Sequence, residues 1–314
     1  MSAYKAYKFS SDHLMTSGLN YRYYAGHLAF FGETAMSDNF KVGTVNGIAW
    51  QIDPRLDLLV IHRYYDKGFQ SLYSAGFGES SDNSGEKGLY IGLQARMTKR
   101  INISAYFDQF SYTFLSYLTD DYSIGREMFF QTDIKLNWRA SMYLRFRNKI
   151  TERNTRDEVT GIKDQVQLNK TNIRLNYDQQ INSQLSLKSR IEWVRYLYGD
   201  QKSNGILLFQ DIVYSFKKIP LKIYGRYAIF DTDNYDSRIY AYESNLLYVF
   251  SIPSYYYKGM RTYLMFKYEI GRAVDIWLRW GMWSYDNRDS ISSGLEQING
   301  SRKSDIRVQL KFRL

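Results

Sequence analysis

The chain has 314 residues, of which 17% are aromatic, and its 42 Lys and Arg against 32 Asp and Glu give a net charge of +10. The aromatic content excludes a disordered chain, and the absence of cysteine excludes disulfide frameworks, thiolate metal sites and cysteine nucleophiles. The longest uncharged stretch, residues 244–257, contains Pro253 and is too short for a membrane-spanning helix. The charges are spread along the whole chain, unlike the basic blocks of nucleic-acid-binding tails.

Apolar and polar residues alternate with a period of two along most of the chain, which predicts β-strands with one apolar face. From Leu89 to Met97, for example, apolar odd positions oppose Tyr90, Gln94 and Arg96. No sustained amphipathic helix competes with this pattern. In chain order, the predicted strands cover residues 17–25, 27–37, 40–52, 56–66, 88–98, 101–111, 125–137, 140–150, 165–181, 184–198, 205–217, 220–230, 238–251, 260–270, 274–285 and 304–314.

Three features of these segments favour a membrane barrel over a soluble sandwich. The segments are longer than the usual strands of soluble proteins, and Tyr and Trp gather at their ends, as in interfacial girdles. Short and long connections alternate, which is the topology of outer-membrane barrels. The predicted tight turns are residues 53–55, 98–100, 138–140, 182–184 and 217–220. The predicted long loops are residues 68–87, 111–125, 151–164, 200–205 and 286–303.

The number of strands has two interpretations. Sixteen segments satisfy the even number typical of bacterial barrels. However, residues 217–220 and 271–273 both resemble short inner turns, and the three predicted strands between them would place them on opposite sides. Either residues 238–251 belong to an outer hairpin, or one of the two turns faces outward. If residues 238–251 do not cross, fifteen strands remain, and we expect at least one more strand before residue 17. We expect residues 304–314 to form the last strand. Either it pairs with a strand near residues 17–25, or the true first strand is missing and the barrel is open.

The sequence therefore predicts an all-β, transmembrane, antiparallel up-and-down β-barrel of about 15–16 strands in the bacterial outer membrane. Residues 1–314 form a single domain, with a short N-terminal lead over residues 1–16. Residues 1–9 have neither the apolar core nor the cleavage site of a signal peptide. Because an outer-membrane protein must be exported, we expect the chain to be a mature or truncated product.

Several segments resemble the barrel portion of outer-membrane proteins from Bacteroidota that carry a helix-hairpin-helix region ahead of the barrel. These segments are residues 62–73 (HRYYDKGFQSLY), 77–80 (FGES), 86–90 (EKGLY) and 230–243 (FDTDNYDSRIYAYE). The resemblance implies an envelope location. The helix-hairpin-helix signature is not found in this sequence, so the resemblance places no DNA-binding function on these residues.

The predicted inward face is basic. We expect Leu144, Phe146, Ile223, Leu310 and Phe312 to face lipid, since an Arg on the lipid face at mid-membrane costs about 2–4 kcal/mol. Arg145, Lys222 and Lys311 should then face the lumen. The candidate lumen cluster consists of Arg145, Arg147, Lys149, Arg190, Lys222, Arg226 and Arg279. Such a cluster either selects anions in an open pore or is neutralised by ion pairs with neighbouring strands.

These features favour a non-enzymatic pore or transport barrel with a basic lumen. The alternative is a structural or accessory component of an export or DNA-handling assembly, with a plugged lumen. A hydrolase is the third hypothesis. Of the three histidines, His13, His27 and His62, the last has Asp66 four residues on, but no Ser lies within a turn of it. We predict no cofactor and no metal site. The expected partners are outer-membrane lipid and other envelope proteins, and no residue pattern supports nucleic acid.

Overall fold

The computed structural model describes residues 3–155, 164–271 and 273–312. Fifteen of its strands form one antiparallel sheet, in which the order of the strands follows the order of the chain. Helical structure in the described residues consists of three-residue 3-10 turns at Ala3–Lys5, Tyr235–Ser237 and Gly294–Glu296. The predicted fold class is confirmed in its all-β content, its up-and-down order and its strand number.

Nineteen strands are described in all. They are β1 (Thr16–Ala25), β2 (Leu28–Ser37), β3 (Val42–Asp53), β4 (Leu56–Tyr65), β5 (Glu86–Arg96), β6 (Ile101–Tyr112), β7 (Ser123–Lys135), β8 (Ala140–Asn154), β9 (Gln165–Gln180), β10 (Leu185–Tyr198), β11 (Gln201–Ser215), β12 (Leu221–Thr232), β13 (Ile239–Tyr240), β14 (Ser254–Tyr255), β15 (Lys258–Ile270), β16 (Val274–Tyr285), β17 (Ser290–Ile291), β18 (Ile298–Asn299) and β19 (Arg302–Phe312). The strands β13 and β14 form one short hairpin and β17 and β18 another, outside the large sheet. The strands of the large sheet have 10 to 16 residues, enough for a tilted membrane span of about 9–11 residues.

The predicted crossing strand at residues 238–251 is wrong. This segment belongs to a connection between β12 and β15 that contains the small β13–β14 hairpin, and β12 pairs directly with β15. The fifteen-strand interpretation therefore holds. It also removes the conflict between the two predicted inner turns, because the connections from β11 to β12 and from β15 to β16 fall at the same end of the sheet.

Short and long connections alternate mainly as predicted. Residues 66–85, 113–122, 233–257 and 286–301 separate strands of the large sheet at one end. The predicted long loop at residues 200–205 is wrong, because Gly199 and Asp200 form a tight turn between β10 and β11. Gly199 has a φ of +54°, which glycine adopts without a steric penalty. Residues 156–163 of the predicted loop 151–164, and residues 313–314 of the predicted last strand, lie outside the described residues.

The two faces of the strands differ in the way that the alternation predicts. Arg226 of β12 lies opposite Asp211 of β11 and Tyr263 of β15, all on one face. The side chains of Leu144, Phe146, Leu310 and Phe312 are exposed, while Arg145, Lys222 and Lys311 lie on the opposite phase and are half-buried. We call the face that carries Arg226 and its equivalents in the other strands the polar face.

The chain divides into two compact units. Unit 1 comprises Met1–Thr132, Phe146–Thr171 and Leu197–Gln201, and unit 2 comprises Asp133–Arg145, Asn172–Tyr196 and Lys202–Leu314. The main hydrophobic cluster belongs to unit 2. It consists of Val194, Leu207, Phe209, Ala228, Phe230, Ile239, Ala241, Tyr255, Tyr285 and Ile291.

Nowhere in the described part of the chain is there a helix with the length and hydrophobicity needed to cross a membrane.

Candidate functional site: the polar face

A long connection folds back onto the polar face of unit 2. We call residues 233–257 the inserted segment. Its two arms are held together by backbone hydrogen bonds, including one of 3.0 Å from Glu243 N to Ser251 O. Ile239, Ala241 and Tyr255 are buried in the hydrophobic cluster, against residues such as Phe230. The segment is therefore packed as part of the unit and anchored by apolar contacts at its base.

A buried carboxylate fixes the inserted segment to two strands. The Glu243 side chain is 1% exposed and accepts hydrogen bonds from Arg261 of β15, at 3.1 and 3.0 Å, and from Arg279 of β16, at 2.6 Å. The hydroxyl of Tyr255 donates a fourth hydrogen bond, at 2.8 Å. Burial alone would raise the pKa of Glu243, but the hydrogen bonds from Arg261 and Tyr255 and the charge of Arg279 outweigh burial and lower it.

The tip of the inserted segment is exposed and aromatic. Tyr248 and Phe250 have exposed fractions of 86% and 78%, and Tyr248 has a φ of +67°. Beside the tip, the side-chain amide of Gln309 in β19 donates a 3.1 Å hydrogen bond to Leu247 O. The inserted segment thus exposes two aromatic rings at its tip, while the rest of the segment is held to the sheet by ion pairs and apolar contacts.

Several basic residues on the polar face of unit 2 have carboxylate partners. Arg226 binds Asp211 through two hydrogen bonds of 2.5 and 2.6 Å. Arg174 of β9 binds both oxygens of Glu192 in β10, at 2.7 and 2.9 Å. Arg190 lies nearby, with Nη1 3.9 Å from the same carboxylate and Nε donating to Asn176 Oδ1 at 3.3 Å. Two guanidinium groups therefore share one carboxylate, and Arg174 makes the closer contacts.

Arg190 borders a cavity of about 690 Å³ in unit 2. The cavity extends along the polar face from the turn at residues 137–140 to Tyr242 and Ser244 of the inserted segment. Five cationic side chains line it, which are Lys135, Arg139, Lys188, Arg190 and Arg226. Two carboxylates line it, Asp178 and Asp211. The lining charges are therefore positive in excess.

Unit 1 has its own buried ion-pair network. Arg63 of β4 donates to Glu86 of β5 at 2.6 Å and to both oxygens of Asp108 in β6 at 2.8 and 3.1 Å. The guanidinium packs directly against Gly88, where a Cβ would lie 2.5 Å from Arg63 Cζ. Only glycine therefore leaves room for this Arg side chain in the position that pairs it with both carboxylates.

The connection at residues 66–85 covers this network. The backbone amides of Glu79 and Ser80 donate to the carboxylate of Glu86, at distances from 2.7 to 3.1 Å. Tyr65 donates its hydroxyl to Phe77 O at 2.8 Å. In unit 1, as in unit 2, a long connection is bound to charged groups of the polar face.

A second network in unit 1 involves the predicted basic cluster. Arg147 binds Glu127 through hydrogen bonds of 2.7 and 2.9 Å, and Tyr106 donates its hydroxyl to the same carboxylate. Lys149 forms an ion pair with Glu79 of the 66–85 connection and lies 3.6 Å from Glu127. These pairs join neighbouring strands to the connection that folds over them.

The predicted basic cluster is thus divided between the two units. Arg147, Lys149, Arg226 and Arg279 form close ion pairs with carboxylates. Arg145 and Lys222 lie beside the rings of Tyr143 and Tyr224, at 5.2 and 5.1 Å from the ring centroids. Arg190 shares its carboxylate with Arg174. The ion-pair alternative therefore applies to most of the cluster, and Arg190 is the buried member with the weakest carboxylate contact.

Sequence reasoning missed Arg63, Arg174 and Arg261, which have the same environment as the predicted residues. Each lies at a polar position of the alternating pattern in its strand, so the same pattern that identified the predicted cluster also identifies them. The position of Glu243 has no such signal, because it depends on how the inserted segment folds.

The described residues contain no group of three or more His, Asp and Glu side chains placed to hold a metal ion. In the acidic turn after β12, Asp233 accepts a 2.7 Å hydrogen bond from the amide of Asn204.

No family model matches the chain, and no similar sequence is found among curated proteins. Known structures resemble it in fold at low sequence identity. OmpT of Vibrio cholerae, expressed in the outer membrane, is 8% identical with a TM-score of 0.44, over 95% of this chain and 89% of OmpT. An anion-selective porin from Comamonas acidovorans is 14% identical with a TM-score of 0.41, over 96% of this chain and 89% of the porin. A mutant ferric enterobactin receptor from Pseudomonas aeruginosa is 10% identical with a TM-score of 0.47, over 96% of this chain and 59% of the receptor.

Proposed function

We propose that the chain is a non-enzymatic outer-membrane barrel that forms a narrow pore with a preference for anions. The long strands, with exposed apolar residues on one phase and ionised residues on the other, suit a sheet whose apolar face is covered by lipid. The partners in this proposal are outer-membrane lipid and the solutes that cross the pore.

The observation that carries the anion preference is the excess of cations along the cavity in unit 2. Rings of Arg and Lys in a pore favour negative solutes, because the local potential concentrates them and repels cations. The inserted segment occupies part of the same polar face, so we expect the pore to be narrow at the end with long connections.

The test is the current through the protein in a planar lipid bilayer under a gradient of KCl. We expect discrete steps of current and a reversal potential of the sign that denotes anion selectivity. Lys222→Glu, on the polar face, should shift the reversal potential towards cation selectivity. Lys202→Glu makes the same change of charge at the exposed start of β11, on the opposite phase from Asp211, and should leave the reversal potential close to that of the wild type.

A wild-type channel that selects cations would contradict the proposal. A folded protein that gives no steps would favour the second candidate, an accessory component of an envelope assembly with a plugged lumen. The hydrophobic cluster in unit 2, which joins the inserted segment to strands of the sheet, is the observation that favours this candidate.

A further inference from the structure

We propose that the cavity in unit 2 is a binding site for an organic oxyanion, a solute that carries a carboxylate or phosphate group. This inference deepens the proposed function, because a pore that favours anions would bring such a solute to the polar face. It names a specific site, whereas the proposed function requires only a general preference for anions.

The balance of charge around Arg190 is the first step. Its side chain is 10% exposed, and a buried charge requires a partner. Glu192 is the nearest carboxylate, but Arg174 already takes both of its oxygens at hydrogen-bond distance. Arg190 is left with an amide oxygen at 3.3 Å, an ion-pair contact at 3.9 Å and the ring of Phe209, whose centroid lies 5.1 Å from its Cζ. One buried positive charge therefore remains uncompensated beside the cavity.

The other lining groups do not remove this excess. Asp211 is bound at both oxygens by Arg226, so that pair is internally neutral. Asp178 is half-exposed and forms an ion pair with Lys188 at 3.8 Å, so Lys135, Arg139 and Arg190 remain in excess over the carboxylates that line the cavity. With Arg139 also on the wall, an oxyanion is the type of ligand that completes the local charge balance.

The size and shape of the site indicate an organic anion rather than a simple ion. A cavity of about 690 Å³ lies within the range of roughly 300–1,000 Å³ typical of pockets for small molecules. Guanidinium groups bind carboxylate and phosphate through two parallel hydrogen bonds. Tyr242 of the inserted segment adds a partly exposed ring to the wall. We infer that Arg190 and Lys188 hold the anionic group and that the ring contacts the remainder of the solute.

Isothermal titration calorimetry of the full-length protein in neutral detergent tests the site, with citrate and inorganic phosphate as the two oxyanion probes and glucose as the uncharged control. We expect a saturable heat for at least one oxyanion and none for glucose. Arg190→Gln should weaken the binding by about tenfold or more, the value of one hydrogen bond to a charged group. Lys188→Gln, at a half-exposed position, should weaken it in the same direction with little risk to folding.

Glu192→Gln distinguishes a binding site from a structural role, because it removes the competing carboxylate and should strengthen oxyanion binding. If Arg190 served only to pack the strands, both the Arg190 and the Glu192 variants would weaken binding or leave it unchanged. Lys267→Gln is the matched control, since Lys267 pairs with Glu269 at 2.5 Å on the same face and does not line the cavity.

Different experimental results would refute the binding site and the pore. Saturable binding that depends on Arg190, without current in a bilayer, supports the site and contradicts the pore. Anion-selective current without saturable binding of citrate or phosphate, or binding that Arg190→Gln and Lys188→Gln do not alter, overturns the site and leaves the pore in place.

Discussion

Glu243 shows how one buried side chain can determine the position of a long connection. It is buried among two guanidinium groups and a phenol, and its segment has few other polar contacts with β15 and β16. Removing one partner of a buried ion pair typically costs about 3–5 kcal/mol, because the remaining charge stays buried. The effect should be local, since the anchored connection lies outside the hydrogen bonds of the large sheet.

The pKa of Glu243 makes this anchor sensitive to acid. Because its folded pKa is lowered, the stabilisation is complete above the ordinary pKa of a glutamate and is lost as the pH falls through the folded value. We expect amide protection of residues 239–257, measured by hydrogen exchange and corrected for intrinsic rates, to fall over this acidic range. Glu243→Gln should lower the protection at neutral pH and remove the acid-dependent step. An unchanged profile in the variant would contradict the anchor.

At the scale of a single strand, β16 offers a direct test of the two faces. Trp277 is buried on the polar face, while Trp280 lies opposite Leu264 and Ile306 on the apolar face. In variants that keep only one of the six tryptophans, brominated lipid should quench the fluorescence of Trp280 strongly and that of Trp277 weakly. Equal quenching of the two would contradict the assignment of the faces to lipid and lumen.

The strands could be predicted because alternation is a local property of the sequence. The error at residues 200–205 arises because the positions of β11 that should be apolar are polar there. Lys202 and Asn204 lie at the exposed end of β11, so this part of the strand resembles a polar loop. The opposite error occurs at residues 238–251. Ile239 and Ala241 alternate with polar residues as in a strand, but they pack in the hydrophobic cluster of unit 2.

The candidate site could be predicted only in part, because alternation assigns a side chain to a face of the sheet but does not identify its partner. Periodicity places Arg190, Arg226 and Arg279 on one face, but it does not say which carboxylate each of them meets. Glu243 reaches Arg261 and Arg279 only because the inserted segment folds back. Such contacts depend on tertiary structure and have no short-range signature.

For the whole molecule, insertion into lipid depends on keeping one face of the sheet apolar. Leu93 and Gln94 are neighbours in β5 on opposite faces, and both are exposed in the structure. Leu93→Arg places a charge on the apolar face at a cost of about 2–4 kcal/mol if it lies near mid-membrane. We expect it to reduce the fraction that folds into lipid vesicles, measured by heat-modifiable migration in gels. Gln94→Arg should fold like the wild type, and equal defects in the two variants would contradict a lipid-covered apolar face.

The agreement between strand order and chain order has a consequence for how this protein can change over evolution. Each strand of the large sheet pairs with the strand of that sheet that comes next along the chain, so each pair of neighbouring strands is joined by a single connection. A connection can then be lengthened, shortened or replaced without altering which strands pair. The backbone scaffold and the connections that fold onto its polar face can therefore diverge independently, and the exchange of one loop alters that face without disturbing the sheet.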